Sequence, residues 1–155
     1  YIYNIPCTGV RFFTVYGPYG RPDMALFRFT KNISLKKPIE IYNKGNHTRD
    51  FTYVDDIVDG LYSLINKKSK KSVPYEIFNI GSGNPKKLID YIMYIEKYFK
   101  INSKVKNLPL QIGDVIKTHA DIKKLKYHTG YKPKTNINIG INKFIEWYKD
   151  YYNLD

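Results

Sequence analysis

The fold is decided by the stretch Val10-Arg11-Phe12-Phe13-Thr14-Val15-Tyr16, which is closed by Gly17-Pro18. Its β-branched and aromatic residues favour a buried strand, and the Gly-Pro pair favours a turn at the end of that strand. Residues 75–80 alternate between apolar and polar side chains as a second strand would, and they stop at Gly81. A helical pattern follows each strand and its loop, so the order of elements predicts an α/β fold.

Further elements are predicted on both sides of these strands. Extended segments are expected at residues 39–42 and 49–54, with a turn at residues 43–46 between them. Helices are expected over residues 23–37, a segment carrying residues 57–65, and residues 85–100, 121–129 and 136–152. Asp23 is predicted to cap the first helix, Asp55 or Asp56 the second, and Pro85 to lie in the first turn of the third. The second helix would bury one apolar face made of Ile57, Val58, Leu61, Leu64 and Ile65.

The length of 155 residues allows one domain with a hydrophobic core. The net charge is +12, which raises the alternative of a nucleic-acid-binding module. However, 22 lysines and four arginines carry the positive charge in a chain that is also rich in Asn, Ile and Tyr. That combination favours solvated surface lysines, and the lysine-rich residues 67–71 are interpreted as an exposed linker.

Several classes of protein are disfavoured by what the sequence does not contain. No run approaches the roughly 18 apolar residues of a membrane span, and no segment resembles a signal peptide, so a cytoplasmic protein without a membrane partner is expected. Cys7 is the single cysteine, and no Cys/His cluster has zinc-ligand spacing. Neither a disulfide nor a metal site is therefore expected. The three histidines, at positions 47, 119 and 128, are interpreted as surface or packing residues without partners.

Arginine is rare in this chain compared with lysine, so each arginine is a candidate for a functional role. The guanidinium offers a rigid fork that holds phosphate or carboxylate through two parallel hydrogen bonds, whereas lysine offers a point charge. The four arginines are Arg11, Arg21, Arg28 and Arg49.

Four ordered motifs carry a resemblance to a known family. They are Arg11-Phe-Phe-Thr-Val-Tyr-Gly-Pro-Tyr-Gly-Arg-Pro-Asp-Met24, Arg49-Asp-Phe-Thr-Tyr-Val-Asp-Asp56, Phe78-Asn-Ile-Gly81 and Leu108-Pro-Leu-Gln-Ile-Gly-Asp-Val115. Together they resemble the extended short-chain dehydrogenase/reductases, also called the NAD-dependent epimerase/dehydratase family, and within it the UDP-glucuronate 4-epimerases of capsular polysaccharide synthesis. The resemblance implies that this chain is the carboxyl-terminal, substrate-binding part of an extended Rossmann-type NAD(P)-binding fold.

The same resemblance implies that part of the enzyme lies elsewhere. In the family, an amino-terminal Rossmann domain holds NAD and a Tyr-x-x-x-Lys pair transfers protons. That pair is expected upstream of Tyr1, and the sequence contains no G-x-G-x-x-G phosphate loop. Residues 1–155 are therefore expected to form a nucleotide-sugar-binding domain that has no catalytic residues of its own and no activity alone.

The resemblance implies four substrate-binding residues. Thr14 would hydrogen-bond the hexuronic acid, and Arg21 would reach over the bound nucleotide-sugar. Arg49 would hold the diphosphate, and Asp114 would accept hydrogen bonds from the ribose hydroxyls. The alternatives are a strand threonine bonded to backbone, an arginine pinned by Asp23, a structural Arg49 and a helix or turn cap at position 114.

Four further residues would face the cofactor. Phe13 lies at the end of the strand that would approach the nicotinamide, and Tyr16, Gly17 and Pro18 would shape the loop beside it. The Asp55 and Asp56 pair is interpreted as helix caps, and the aromatic residues near the carboxyl terminus as core packing.

The function implied is interconversion of UDP-glucuronate and UDP-galacturonate by transient oxidation at C4 with NAD. An NDP-sugar 4,6-dehydratase and a UDP-glucose/UDP-galactose-type epimerase remain open, because they would share the diphosphate site. A nucleic-acid-binding module is the alternative from a different class. The resemblance implies a homodimer for an intact enzyme and leaves one doubtful for this chain.

Overall fold

The computed structural model describes residues 2–67 and 75–154. Its strands are β1 (Cys7–Phe12), β2 (Thr14–Tyr16), β3 (Ile39–Tyr42), β4 (Thr48–Arg49), β5 (Phe51–Tyr53), β6 (Tyr75–Ile80), β7 (Lys86–Lys87) and β8 (Val105–Leu108). Its α-helices are α1 (Ala25–Ser34), α2 (Val54–Ile65), α3 (Leu88–Phe99), α4 (Lys123–Thr129) and α5 (Ile137–Tyr151), and a 3₁₀ turn spans Asn43–Gly45. The predicted alternation of strands and helices is confirmed.

The strands pair in four two-stranded sets. β1 pairs with β6, β2 with β5 and β3 with β8, all in parallel, whereas β4 and β7 are antiparallel. Parallel strands in one layer place their carboxyl ends on the same side, which is where α/β proteins bind ligands.

The strand predicted over residues 10–16 is interrupted at Phe13. The amide of Phe13 donates to the Ile80 carbonyl at 3.1 Å, and the next amide, that of Thr14, donates to the Asp50 carbonyl at 3.1 Å. The chain thus leaves its partner β6 and joins β5 within one peptide unit. The prediction of one continuous strand was wrong because a change of partner does not alter the pattern of apolar residues.

The buried apolar residues form two hydrophobic cores. The larger core unites α1, α3 and α5 with β2, β3 and β5, and its buried members include Phe27, Tyr91 and Phe144. The smaller core joins α2, α4 and β6 through Ile57, Phe78 and neighbours. Of the aromatic residues near the carboxyl terminus that were predicted to pack in the core, Phe144 and Tyr148 are buried there and Trp147 is partly buried against it. The prediction was wrong for Tyr151 and Tyr152, which are 58% and 45% exposed.

Three predicted helix starts are wrong. Helix α1 begins at Ala25, and Asp23 bonds the Arg21 side chain instead of capping it. Helix α2 begins at Val54 without a side-chain cap, since the Asp56 carboxylate accepts from the amides of residues 134 and 135. Pro85 lies outside α3, which begins at Leu88 after β7 has paired with β4. In the first two cases the carboxylate accepts from a donor outside the helix that it was expected to cap.

The predicted apolar face of α2 is only partly buried. Ile57 and Leu64 lie in the smaller core, whereas Val58 is 56% exposed and Ile65 is 69% exposed. The predicted strands over residues 39–42 and 75–80 are confirmed at both ends. Of the predicted lysine linker, residues 68–71 lie outside the described part of the chain. Within the described ranges, no helix is both long and apolar enough to cross a membrane.

Candidate functional site

A cavity of about 260 Å³ opens beside β2, β3 and β4. Its wall contains three of the four predicted substrate residues, Thr14, Arg49 and Asp114. The other lining residues include the charged side chains of Arg28 and Glu40 and the imidazole of His47. A volume of this size suits part of a nucleotide-sized ligand, and the mixture of charged and apolar walls is typical of a site that orients a polar ligand.

Arg49 is held in the cavity wall by three hydrogen bonds. Its Nη1 donates to the carbonyls of Thr48 at 3.2 Å and Ile116 at 3.1 Å, and its Nη2 donates to Asp114 Oδ1 at 2.8 Å. Its side chain is 18% exposed. A guanidinium has five N–H donors, so two remain without a partner among the described residues. Arg49 is therefore fixed in place and still able to bind an anion.

Asp114 closes a turn in which its amide donates to the Gln111 carbonyl at 3.1 Å. Gly113 has a φ of +82°, a left-handed conformation that glycine adopts without strain. The Asp114 carboxylate points toward the cavity and accepts from Arg49. The predicted pairing of Arg49 and Asp114 in one cleft matches this geometry. Among the described contacts, the Asp114 carboxylate accepts from the Arg49 side chain and not from an amide of a turn or helix, so the alternative of a helix or turn cap at position 114 does not match.

The interpretation of His47 as a residue without a partner is wrong. Its side chain is 4% exposed, and Nε2 lies 3.0 Å from Asp114 Oδ2. The two atoms are at ion-pair distance, but Nε2 is not aligned for a hydrogen bond with any described atom. His128 packs as predicted, with its ring 5.1 Å from that of Phe78 between centroids. His119 lies at the surface as predicted, but it too has a partner, since its Nε2 lies 3.2 Å from the Gly83 carbonyl.

Asp50 was missed as a candidate, although it lies between the cavity-lining residues Arg49 and Phe51 and its carboxylate binds distant segments of the chain. Its side chain is fully buried, and Oδ1 accepts from Thr52 Oγ1 at 3.2 Å and from the Ser82 amide and hydroxyl at 2.7 and 2.8 Å. Oδ2 accepts from the amides of Gly83 and Ala120, both at 3.0 Å. The signal was an aspartate within an extended apolar segment, where that residue is disfavoured unless its carboxylate has partners.

Thr14 begins β2 at the change of strand partner. It lies in the wall of the larger cavity and also of a second cavity of about 40 Å³. The Thr14 amide donates to the Asp50 carbonyl, whereas the Thr14 hydroxyl has no hydrogen bond to a described residue. The structure therefore does not match the alternative in which the Thr14 hydroxyl bonds to backbone.

Arg21 lines the smaller cavity but is turned toward the surface. Its Nε and Nη2 donate to the two oxygens of Asp23 at 3.0 and 2.5 Å, and its side chain is 75% exposed. The hydrogen bond from Arg21 holds the pKa of Asp23 below its ordinary value. The arrangement corresponds to the alternative of an arginine pinned by Asp23, so contact with a ligand in the larger cavity requires Arg21 to move.

The four predicted cofactor residues lie together at the end of the interrupted strand. Phe13 is partly buried at the change of partner, and Pro18 is also partly buried. The Tyr16 ring packs against Tyr53 and Tyr91 in the core. Gly17 approaches Val54 so closely that an added Cβ would lie 2.7 Å from its Cγ1. Because Tyr16 and Gly17 face the protein's own core, they can reach a cofactor only through their main chain.

Comparisons with known proteins place these features in context. A model of the NAD dependent epimerase/dehydratase family matches residues 2–81. An uncharacterized protein of Methanocaldococcus jannaschii is 52% identical over 148 residues, which cover 96% of this chain and 44% of that protein. UDP-glucuronate 4-epimerase 1 of Arabidopsis thaliana is 42% identical over 168 residues, which cover 100% of this chain and 39% of that enzyme.

A solved structure agrees with these relatives. The UDP-glucuronic acid 4-epimerase from Bacillus cereus, in complex with UDP-glucuronic acid and NAD, matches with a TM-score of 0.88 at 34% identity. The match covers 96% of this chain and 46% of that one. The chain thus spans about half the length, or less, of the relatives it matches. The predicted α/β, Rossmann-type fold class and its correspondence to a carboxyl-terminal part of such proteins are confirmed.

Proposed function

The chain belongs to the NAD-dependent epimerase/dehydratase family, and we propose that it forms the nucleotide-sugar-binding part of a UDP-glucuronate 4-epimerase. The observation that carries this proposal is the pairing of Arg49 with Asp114 in one cavity that Thr14 also lines. A fixed guanidinium beside a carboxylate matches a ligand that has phosphates next to a diol. The named relatives with UDP-glucuronate 4-epimerase activity support the choice of sugar.

Arg49 is proposed to bind the diphosphate. Its bonds to two carbonyls and to Asp114 fix the guanidinium plane, so little side-chain entropy is lost when an anion binds. The two N–H groups that remain can donate to phosphate oxygens through charge-assisted hydrogen bonds.

Asp114 and Thr14 are proposed to hold the two ends of the ligand. An ionised carboxylate accepts hydrogen bonds only, so Asp114 suits the vicinal hydroxyls of a ribose. Thr14 can donate to and accept from the hexuronic acid because its hydroxyl is not engaged by a described residue. Arg21 would join the sugar site after leaving Asp23.

The chain's residues fit one side of NAD only. Phe13 and the main chain of residues 16–18 lie at the end of the interrupted strand, where a nicotinamide ring would approach the sugar. A phosphate-binding glycine loop is not present in the sequence, so most of the dinucleotide would be held by an amino-terminal domain. When bound, NAD supplies reversible hydride transfer at C4, and the present residues orient the sugar for it.

Three alternatives make different predictions. A UDP-glucose/UDP-galactose-type epimerase or a 4,6-dehydratase shares the diphosphate site, so only turnover by a polypeptide carrying both halves distinguishes them. UDP-galacturonate formed from UDP-glucuronate supports the proposal, whereas turnover of UDP-glucose alone overturns the choice of sugar. A nucleic-acid-binding module predicts steeply salt-dependent DNA binding that substitution of the lysines at 67–71 weakens.

The binding proposal is tested directly on this chain by calorimetric titration with UDP and UDP-glucuronate. Wild-type chain is expected to bind both, and Arg49→Ala is expected to abolish measurable binding. Arg11→Ala is the matched control, since Arg11 is an exposed arginine on β1 away from the cavity, and it should leave binding unchanged. No heat with wild-type chain, or equal affinity for Arg49→Ala, overturns the proposal. The chain alone is expected to show no turnover.

A further inference from the structure

His47 combines burial with an unsatisfied polar atom. Its side chain is 4% exposed, and Nε2 has no hydrogen-bond partner among the described residues. Leaving a buried polar atom unsatisfied costs free energy, so such an atom in a cavity wall requires an explanation. His47 lies in the wall of the larger cavity, which places this atom beside the proposed ligand site.

The two oxygens of Asp114 are divided between two basic side chains. Arg49 Nη2 lies 2.8 Å from Oδ1, and His47 Nε2 lies 3.0 Å from Oδ2. The Arg49 contact is an aligned hydrogen bond, whereas the His47 contact has the distance but not the alignment. With a proton on Nε2, the imidazole attracts Oδ2 and limits rotation of the carboxylate.

His47 is fixed in position while Asp114 lies on an irregular loop. The His47 amide donates to the Gly45 carbonyl at 2.7 Å, and the His47 carbonyl accepts from the Leu88 amide at 2.9 Å. Asp114 closes the turn at residues 111–114, which also contains Ile112, whose side chain is fully exposed. A fixed imidazole can therefore orient a carboxylate whose own backbone has little packing around it.

We infer that His47 is a positioning residue of the nucleotide site, which holds the Asp114 carboxylate turned into the cavity so that it accepts both hydroxyls of a ribose. The inference rests on the proposed function, since it deepens the role given there to Asp114. Small rotations of the His47 ring and the Asp114 carboxylate on ligand binding can align Nε2 with Oδ2. The buried Nε2 then gains a hydrogen-bond partner. His47 acts through Asp114 and does not itself contact the reacting sugar.

The test compares His47→Phe and His47→Gln with the wild-type chain in titrations with UDP and with inorganic pyrophosphate. Phenylalanine fills the space but has no N–H, so UDP affinity is expected to fall about tenfold, the effect of one hydrogen bond to a charged group. Glutamine retains an N–H donor and should restore most of the affinity. Pyrophosphate has no diol, so its binding should be the same in all three proteins.

A matched control and a double substitution complete the design. His128→Phe removes another histidine whose buried Nε2 has no hydrogen-bond partner among the described residues, but His128 packs on Phe78 away from the cavity, so UDP affinity should be unchanged. In the Asp114→Asn background, His47→Phe should have no further effect. Equal UDP affinity of His47→Phe and wild-type chain overturns the inference, and the proposed function then still stands. Additive losses of affinity in the double variant also overturn the inference, since they would show that His47 does not act through Asp114.

Amide hydrogen exchange of the chain without ligand tests the inference even if UDP does not bind. His47→Phe is expected to speed amide hydrogen exchange of residues 112–116, whereas His128→Phe is not. Unchanged exchange in this loop overturns the inference. Absence of UDP binding by wild-type chain instead overturns the proposed function.

Discussion

Arg49 and Asp114 are 65 positions apart in sequence, and their side chains meet at 2.8 Å between Nη2 and Oδ1. The surrounding backbone is also joined, since Thr48 exchanges hydrogen bonds with residues 116 and 118 at 2.9 and 3.0 Å. The short strand β4 thus holds the loop after β8 by main chain and side chain together. The proposed diphosphate and ribose contacts are consequently held next to each other.

Arg49→Lys keeps the positive charge but removes the planar fork. The lysine cannot reproduce the bonds to two carbonyls and Asp114 together, so UDP affinity is expected to fall about 10- to 100-fold. Calorimetry measures the loss, with Arg11→Lys as the control that should change nothing. If Arg49→Lys binds UDP as tightly as wild type, the fork is unimportant and charge alone explains binding.

Asp50→Asn tests the buried carboxylate beneath the site. Each Asp50 oxygen accepts from at least one main-chain amide, that of Ser82 on Oδ1 and those of Gly83 and Ala120 on Oδ2. Whichever way an asparagine is turned, its NH₂ faces a backbone N–H. The free energy of unfolding is expected to fall by about 3 kcal/mol.

Urea denaturation measures this loss against a matched substitution. Asp121→Asn changes a carboxylate that accepts from the Lys123 amide at the surface, and it should alter stability by less than about 0.5 kcal/mol. Equal midpoints for Asp50→Asn and wild type contradict the role assigned to the Asp50 charge.

Gly81→Ala tests how closely β6 approaches the loop beside Asp50. An added Cβ would overlap the Ala120 Cβ and lie 3.2 Å from Asp50 Oδ1. Since backbone must shift to make room, a loss of about 2 kcal/mol in the free energy of unfolding is expected. Gly9→Ala is the control because its Cβ would meet nothing closer than 3.5 Å. Equal stability of both variants contradicts the close approach.

The parts of the fold that the sequence predicts are those set by local patterns. β3 and β6 alternate regularly, so their bounds were predicted correctly. Arg49 and Asp114 were predicted from motifs and lie together, although their binding roles stay predictions. The ends of the helices were predicted less well, because Asp23 and Asp56 bond donors outside the helix that each was expected to cap.

The features that were missed depend on contacts between distant segments. The interruption at Phe13 is created by two partner strands, one ending at Ile80 and one beginning after Asp50. Asp50 reaches Ala120 across 70 positions, and His47 meets Asp114 across 67. No local pattern encodes such pairings. An aspartate in an extended apolar segment signals that Asp50 needs partners, but which segments supply them is seen only when distant parts of the chain are in place. The same holds for the position of His47 beside Asp114.

Alkaline pH is expected to destabilise the fold through its buried tyrosines. Burial, and then the nearby charges of Asp56 and Asp50, raise the pKa of Tyr131, and burial likewise raises the pKa of Tyr16 and Tyr91. Their contribution to stability is complete below about pH 10, the pKa in the unfolded chain, and is lost as pH rises because the unfolded state releases protons first. Each such group lowers the free energy of unfolding by about 1.4 kcal/mol per pH unit above that point.

Urea denaturation midpoints from pH 9 to 11 measure this loss of stability. Tyr131→Phe removes one titrating group and its hydrogen bond to the Gly81 carbonyl, so it should be less stable at pH 8 but decline less steeply. Parallel declines in the two proteins would show that Tyr131 ionises as freely in the folded chain as in the unfolded one.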